Sequence, residues 1–194
     1  PYTYNTHIFT RKNLLYKIIQ DVKKPMQLIN IDKARYRKHL NIVIVGFTAT
    51  LLVLALIFGQ LLIISFGQEE VNNFRYNLLG VVLSLLICMA ILHTLKTSEY
   101  FKEIYYVWQV KQIHNLIYRK LKKIKKAAKD SEQDALIILT FYYQSQHQVY
   151  QLDDNTLTIS KVNKEIADLQ EIIANKNLTI NVEQFDKKLL TSYA

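Results

Sequence analysis

Two long apolar runs, residues 41–67 and 78–95, constrain this chain more than any other feature, and only residues 68–77 separate them. The first run has no charged side chain from Ile42 to Phe66. As a helix it would be about 37 Å long, whereas the hydrocarbon core of a bilayer is about 30 Å thick. The second run of 18 uncharged residues just spans that core. The pattern predicts an all-α membrane protein built on a two-helix transmembrane hairpin.

The chain divides into six predicted segments. Residues 1–25 are interpreted as an N-terminal extension, because Met26 resembles a natural start. The other segments are a cytoplasmic juxtamembrane segment at 26–40, transmembrane helix 1 at 41–67, a periplasmic loop at 68–77, transmembrane helix 2 at 78–96 and a cytoplasmic antiparallel helical bundle at 97–194. Without residues 1–25 the net charge falls from +9 to +5, since 20 basic and 15 acidic residues remain. Overall basicity is therefore a weak guide to binding partners.

Basic residues flank the two runs on one side only. They are Lys33, Arg35, Arg37 and Lys38 before the first run, and Lys96, Lys102 and Lys111 after the second. The intervening loop carries Arg75 against Glu69 and Glu70, with which it could pair. The positive-inside rule therefore predicts that both termini are cytoplasmic and that the short loop is periplasmic.

Small residues at helical spacing predict that the two spans pack against each other. The helix-packing residues are Gly46, Thr50, Ala55 and Gly59 in the first span and Gly80, Ser84 and Cys88 in the second. Such residues let helices approach closely in lipid. Hairpin packing is the simplest interpretation. The alternative is that leftover small residues on the first span drive oligomerisation, and a pore would need several copies.

No glycine or proline follows Gly80, so we expect the second span to continue as one helix to about Lys129. Its buried stripe would comprise Tyr106, Val110, Ile113, Ile117, Leu121, Ile124 and Ala128. A second helix is predicted at 132–151, with Ser131 and Asp134 as its capping signature. Residues 153–155 form a turn, a third helix contains Ile159, Val162, Ile166, Leu169 and Ile173, and a short last helix at 182–190 has Asn181 as its cap.

Charge supports an internally complementary bundle. Residues 96–129 hold ten basic and two acidic side chains, and residues 130–194 hold five basic and ten acidic ones. The densest basic patch comprises Arg119, Lys120, Lys122, Lys123, Lys125 and Lys126. We interpret it as a solvated or intra-bundle face. Anionic lipid is the alternative, and nucleic acid is disfavoured because no aromatic residues are interleaved within the patch.

The sequence contains no nucleophile–base arrangement, phosphate-binding glycine loop or paired intramembrane carboxylates, so it predicts no enzyme, no cofactor and no metal. His39 and His93 would lie at similar depth, but two histidines without a carboxylate are weak evidence for a metal. The periplasmic loop motif, Asn73, Phe74, Arg75, Tyr76 and Asn77, fits an interfacial aromatic belt, with a periplasmic partner as the alternative.

The loop motif also carries a resemblance to a known family. Residues 73–80 (NFRYNLLG), 105–111 (YYVWQVK), 134–143 (DALIILTFYY) and 152–155 (LDDN) resemble a family of two-span bacterial inner-membrane proteins that constitute a domain of unknown function. The resemblance covers about residues 26–190. It implies a bacterial inner membrane and two spans, and it implies no activity, ligand or mechanism.

Together these patterns predict a non-enzymatic scaffold or protein-interaction subunit of the inner membrane that self-associates. Its expected partners are membrane lipid and either further copies or another membrane protein. The alternative is an accessory or pore-forming subunit of a transport system, although the absence of charge within the spans argues against ion conduction. An enzyme and a sensor are less favoured, the sensor because the outer loop is so short.

Overall fold

A computed structural model describes residues 26–67 and 72–193, and this part of the chain contains helices and no strand. The elements in chain order are α1 (Lys33–Phe66), α2 (Phe74–Leu95), α3 (Lys102–Lys129), α4 (Gln133–Leu152), α5 (Thr156–Asn175) and two short 3₁₀ helices, η1 (Val182–Gln184) and η2 (Lys187–Tyr193). The all-helical fold class is therefore confirmed. Residues 1–25, interpreted above as an extension, lie outside the described residues.

The described chain forms two compact units. The hairpin unit contains residues 30–112 and 149–156. The bundle unit contains residues 113–148 and 157–193, together with residues 26–29. Both α3 and α4 therefore contribute residues to each unit, and the turn between α4 and α5 belongs to the hairpin unit.

Both apolar helices begin earlier than the apolar runs. In α1 the helix starts at Lys33, where the Asp32 side chain accepts a hydrogen bond from the Arg35 amide at 2.7 Å. This is the N-cap arrangement that satisfies an otherwise unpaired amide. In α2 the helix starts at Phe74, and the Asn72 side chain accepts from the Phe74 amide at 2.8 Å. Four residues assigned to the loop from sequence, 74–77, are thus the first turn of α2.

Glycine determines where α1 and α2 touch. A Cβ added at Gly80 would lie 2.6 Å from the Gly59 nitrogen and 2.9 Å from the Gly59 Cα. No side chain fits in that space, so the two backbones pack directly on each other. Beside this contact, Ser84 is fully buried and its hydroxyl donates to the Gly80 carbonyl at 2.7 Å.

The prediction of one continuous helix from the second span to Lys129 is wrong. The helix stops at Leu95, and residues 96–101 form successive turns before α3 begins at Lys102. Two short turn bonds replace the helical pattern there, from the Ser98 amide to the Leu95 carbonyl at 2.9 Å and from the Phe101 amide to the Ser98 carbonyl at 3.1 Å. Threonine and serine compete for backbone hydrogen bonds and so tolerate such a break without glycine or proline.

The core of the bundle unit surrounds α4. Residues 135–143 of this helix are all buried, so this part of α4 is covered on every side. Its Phe141 ring stacks on Phe185, which precedes η2, with ring centroids 4.0 Å apart. Its Tyr143 hydroxyl bonds Glu165 of α5. The C-terminal segment therefore closes the core, and the helix predicted at 182–190 is replaced by the two 3₁₀ helices.

Three helices end in left-handed residues that are not glycine. Ser131, Asp154 and Asn177 have φ of 62°, 56° and 52° and follow α3, α4 and α5. At α3, the Glu132 amide bonds the Ala127 carbonyl at 3.1 Å and the Ser131 amide bonds the Ala128 carbonyl at 3.0 Å. This is a Schellman motif. The prediction that Ser131 caps the start of the second bundle helix is therefore wrong, because Ser131 ends the preceding helix.

We expect Gly80→Ala to destabilise the hairpin by about 1–3 kcal/mol, because the new methyl would overlap the Gly59 backbone. Gly46→Ala is the matched control, since a Cβ there meets nothing within 4 Å. Thermal unfolding of both variants in one detergent measures the difference. Equal stability of the two variants would contradict the Gly59–Gly80 contact.

Candidate functional site at the base of the first apolar helix

The N-terminal turns of α1 carry a cluster of ion pairs, which we call the base cluster. Lys33 and Arg37 both pair with the Asp154 carboxylate in the turn after α4. Arg35 pairs with Glu103 in the first turn of α3 through both carboxylate oxygens, with its Nε 3.3 Å from Oε2. The basic flank that indicated topology in the sequence is thus also a set of contacts to α3 and to the α4–α5 turn.

The turn after α4 makes a further contact within the base cluster. Lys111 of α3 donates to the Asp153 carboxylate at 2.7 Å. Asp153 and Asp154 therefore bind different helices, one α3 and the other α1. The same hairpin unit buries four largely apolar side chains: Ile31, Tyr36, Val149 and Leu152. The contacts of Asp153 and Asp154 give the Leu-Asp-Asp-Asn sequence at residues 152–155 a structural role that its composition does not reveal.

The ion pairs of the base cluster differ in strength. Lys33, Arg37 and Asp154 have side chains that are between 43% and 49% exposed, so their pairs contribute only about 0–1 kcal/mol each. Glu103 is different, because its side chain is only 14% exposed and it meets Arg35 in a two-point contact. Paired contacts of this kind add geometric specificity as well as energy. Arg35–Glu103 is therefore the pair that defines how α3 meets α1.

The two histidines considered from sequence occupy separate environments. The His39 ring stacks on Tyr100 with centroids 3.9 Å apart. The Nε2 atom of His93 lies 2.8 Å from the Lys96 Nζ atom. Within residues 26–67 and 72–193, no three histidine, cysteine, aspartate or glutamate side chains form a group that could hold a metal ion.

The small residues predicted to pack fall into two groups. Gly59, Gly80, Ser84 and Cys88 are buried between α1 and α2, and the Ala55 carbonyl oxygen would lie 3.2 Å from a Cβ on Gly80. Gly46 and Thr50 are exposed instead, and both line a groove beside the hairpin. Only part of the predicted small-residue set therefore lies in the helix contact.

The loop motif is mostly helical. Asn73 precedes the first helical residue, Phe74 is exposed, and the Arg75 guanidinium lies 4.8 Å from the Tyr76 ring centroid. Asn77 packs over Gly59, since its Oδ1 would be 2.9 Å from a Cβ at that glycine. The expected pairing of Arg75 with Glu69 or Glu70 falls on residues outside the described part of the chain.

The basic patch on α3 divides between internal and exposed side chains. Lys120 donates to the Leu190 carbonyl at 2.8 Å, and Lys125 lies 2.9 Å from both carboxylate oxygens of Glu165. Arg119, Lys122, Lys123 and Lys126 are exposed. The intra-bundle role thus applies to Lys120 and Lys125, while the other four side chains of the patch form an exposed basic face.

A polar network that the sequence did not reveal joins α3, α4 and α5. Glu165 accepts hydrogen bonds from Lys125 and from the Tyr143 hydroxyl, the latter at 2.6 Å. Burial and the Glu165 hydrogen bond raise the pKa of Tyr143 far above its ordinary value. Burial acts to raise the pKa of Glu165, but the bonds from Tyr143 and Lys125 together outweigh it and lower that pKa. The only sequence signal was a basic helix followed by an acidic segment.

A serine–histidine pair also emerges in the bundle unit. The His114 Nε2 atom lies 2.7 Å from the Ser145 hydroxyl, which donates to the Tyr142 carbonyl at 3.1 Å. Ser145 is fully buried, and its hydroxyl lies within hydrogen-bond distance of both the His114 ring and the Tyr142 carbonyl. The pair joins α3 to α4 inside the bundle unit.

A comparison with known protein families confirms the resemblance that the sequence showed. The model of a family described as a protein of unknown function (DUF3087) matches residues 26–190. No curated protein and no solved structure matches the chain.

We expect Arg35 and Glu103 to show a larger coupling free energy than an exposed ion pair in a double-mutant cycle of alanine variants, because the contact is two-point and the Glu103 side chain is only 14% exposed. The matched control is the pair Glu99–Lys102, which is 3.7 Å apart and largely exposed. Its coupling should be about 0–0.5 kcal/mol. Denaturant unfolding in detergent measures both cycles, and equal coupling in the two pairs would contradict the assigned role of Arg35–Glu103.

Tyr143→Phe should destabilise the bundle by about 1–2 kcal/mol at pH 7, because it removes a hydrogen bond to a charged group. Glu165 has a lowered pKa, so its stabilising effect is present above about pH 4.3 and is lost as the pH falls through the folded pKa. Tyr143 has a raised pKa, so its effect is present below about pH 10 and is lost as the pH rises further.

Denaturant unfolding from pH 3 to pH 11 checks this pH dependence. The variant should show a flatter profile at both ends than the unchanged protein. Tyr118→Phe is the control, because Tyr118 is exposed, and it should leave the profile unchanged. A Tyr143→Phe profile parallel to that of the unchanged protein would show that the network does not couple to pH.

Proposed function

The chain belongs to the DUF3087 family of proteins of unknown function, and from that premise we propose that it is an integral protein of the bacterial inner membrane. In this proposal it serves as a non-enzymatic interaction subunit whose helical bundle lies in the cytoplasm. The hairpin of α1 and α2 anchors it, and a basic face of α3 meets a protein partner.

One observation carries the membrane assignment: the apolar side chains of α1 and α2 face outward. Leu56, Ile64 and Val45 are 75%, 72% and 68% exposed. Tyr36 and Gly59 are the buried residues of α1, and Gly80, Ser84 and Cys88 those of α2. A helix that is apolar all round must be covered by protein or by lipid. Since protein does not cover these helices within the described chain, lipid is the surrounding that fits them.

The length of α1 supports an anchor that extends beyond the bilayer. Its 34 residues correspond to about 51 Å, well beyond the roughly 30 Å of hydrocarbon. The apolar run occupies the C-terminal part of α1, so the N-terminal turns, which carry the base cluster, would lie in the cytoplasm. The positive-inside rule counts lysine and arginine with little offset from acidic partners. The pairing of Lys33, Arg35 and Arg37 therefore leaves the orientation argument intact.

The exposed face of α3 supports a protein partner in the bundle unit. Tyr118 is 69% exposed, and Leu116 is also exposed. Arg119, Lys122 and Lys126 lie on the same helix and are exposed as well. Aromatic residues and arginine are enriched at protein interfaces, and the basic side chains favour an acidic partner. Nucleic acid is less favoured, because no aromatic residue lies between the exposed basic ones.

The proposal includes self-association through exposed faces of the hairpin. Ala49 on α1 and Ala90 on α2 are exposed small residues, where a second helix can approach closely. Mass measurement in nanodiscs should give a dimer or a larger assembly. A strict monomer would contradict this part of the proposal.

Membrane insertion and orientation are tested together in bacterial cells. The protein should stay in the membrane fraction after an alkaline carbonate wash, and a reporter fused after Ala194 should be active in the cytoplasm. A reporter inserted in residues 68–71 should be active in the periplasm. Release by carbonate, or a periplasmic reading after Ala194, would contradict the proposal.

The interaction surface is tested by crosslinking in native membranes followed by pull-down. Charge reversal of Arg119, Lys122 and Lys126 to glutamate should abolish the partner's crosslink. The matched control reverses Lys164, Lys176 and Lys187, three other exposed lysines of the bundle unit. An equal loss in both triple variants would point to net charge alone and against this face of α3.

A further inference from the structure

A lateral groove of about 260 Å³ lies between α1 and α2, at the end of the hairpin that adjoins residues 96–101. Its walls include Ile42, Gly46 and Thr50 of α1 and Cys88 and Leu92 of α2, and Tyr100 bounds it from the turn. The groove has a simple origin. The helices touch at Gly59 and Gly80, whereas a Cβ on Gly46 meets nothing within 4 Å.

The groove has the length and chemistry of a lipid chain site. From Ile42 to Thr50 the wall extends about 12 Å along α1, which is close to one leaflet of a hydrocarbon core about 30 Å thick. Its lining is mainly aliphatic and aromatic. Water in such a space would lack the two to four polar partners that it needs. In a bilayer, an acyl chain is the occupant that fits.

The rim of the groove carries basic groups. Lys38 and His39 lie one helical turn before Ile42, and His93 and Lys96 flank Leu95 at the end of α2. His39 stacks on Tyr100, and Lys96 lies beside His93. These groups would meet the phosphate of a lipid whose chain enters the groove.

The acidic side chains near the rim are either paired with a basic residue or exposed to solvent. Glu103 pairs with Arg35, and the Glu99 side chain is 90% exposed and 3.7 Å from Lys102. The Tyr100 hydroxyl, in addition, is buried and has no hydrogen-bond partner among the described residues. A lipid ester carbonyl at the mouth of the groove is a suitable acceptor for it.

We propose that this groove is a specific site for an anionic phospholipid of the cytoplasmic leaflet. One acyl chain occupies the space beside Gly46, and Lys38 and Lys96 hold the headgroup. The inference rests on the membrane insertion proposed above. It goes further, because it distinguishes one bound lipid from the lipid that surrounds any hairpin.

Native mass spectrometry of the full chain in detergent tests the site, with phosphatidylglycerol and phosphatidylcholine added in equal amounts. The unchanged protein should retain one phosphatidylglycerol in at least about tenfold preference, since each nearby lysine contributes about a fivefold attraction. Gly46→Leu should abolish retention by filling the groove. Ala49→Leu, which adds the same side chain at an exposed position outside the groove lining, should leave it unchanged.

The headgroup contact is tested by Lys38→Gln with Lys96→Gln, which should remove the preference for phosphatidylglycerol. Lys164→Gln with Lys176→Gln, which removes the same charge from exposed lysines of the bundle unit, should preserve it. Equal retention of both lipids by the unchanged protein would refute the site, as would equal effects of the two leucine variants. Retention of a second protein copy in place of lipid, lost with Gly46→Leu, would refute it too. Release from membranes by carbonate would instead refute the proposed function.

Discussion

The direct backbone contact between Gly59 and Gly80 is the constraint on which the geometry of the hairpin depends. A side chain at Gly80 would force the helices apart, since a Cβ there would lie 2.6 Å from the Gly59 nitrogen. Because the helices meet there, they leave a gap beside Gly46 near the other end of the hairpin. The helix contact and the lateral groove are thus two consequences of where two glycines lie. In lipid, where apolar side chains gain little by leaving one apolar surrounding for another, such close packing is a main source of helix association.

At the N-terminal end of α1, charge rather than packing determines the contacts. Basic residues are common before a span because they retain the chain on the cytoplasmic side. Here Arg35 also pairs with Glu103, and Asp154 accepts both Lys33 and Arg37. The acidic turn after α4 therefore meets the start of α1. Because most of these pairs are exposed, they specify which surfaces meet more than they add stability.

Much of the secondary structure was predictable, because its signals are local. The helices α3, α4 and α5 follow the apolar periodicity, and the turn at 153–155 follows from consecutive aspartates and asparagine. The missed break at residues 96–101 has a different cause. It uses threonine and serine, which are compatible with helix or turn, and Tyr100 is then held by stacking on His39 from a distant segment. No pattern in the neighbouring sequence predicts the contact between Tyr100 and His39. The same holds for Ser131, which adopts a left-handed conformation that glycine usually supplies.

The sequence by itself determined the all-helical class, the two candidate spans, the charge asymmetry around them and the family, because composition and periodicity along the chain carry these properties. Only the tertiary structure decided which small residues touch, that α4 is buried on every side, and that Lys120 and Lys125 are engaged internally while Arg119, Lys122 and Lys126 are exposed. Those outcomes depend on residues far apart in the chain, such as Lys125 and Glu165 or Arg35 and Glu103. The two apolar runs thus indicated where the two candidate spans lie, and the packing of Gly59 on Gly80 determined the shape of their shared surface.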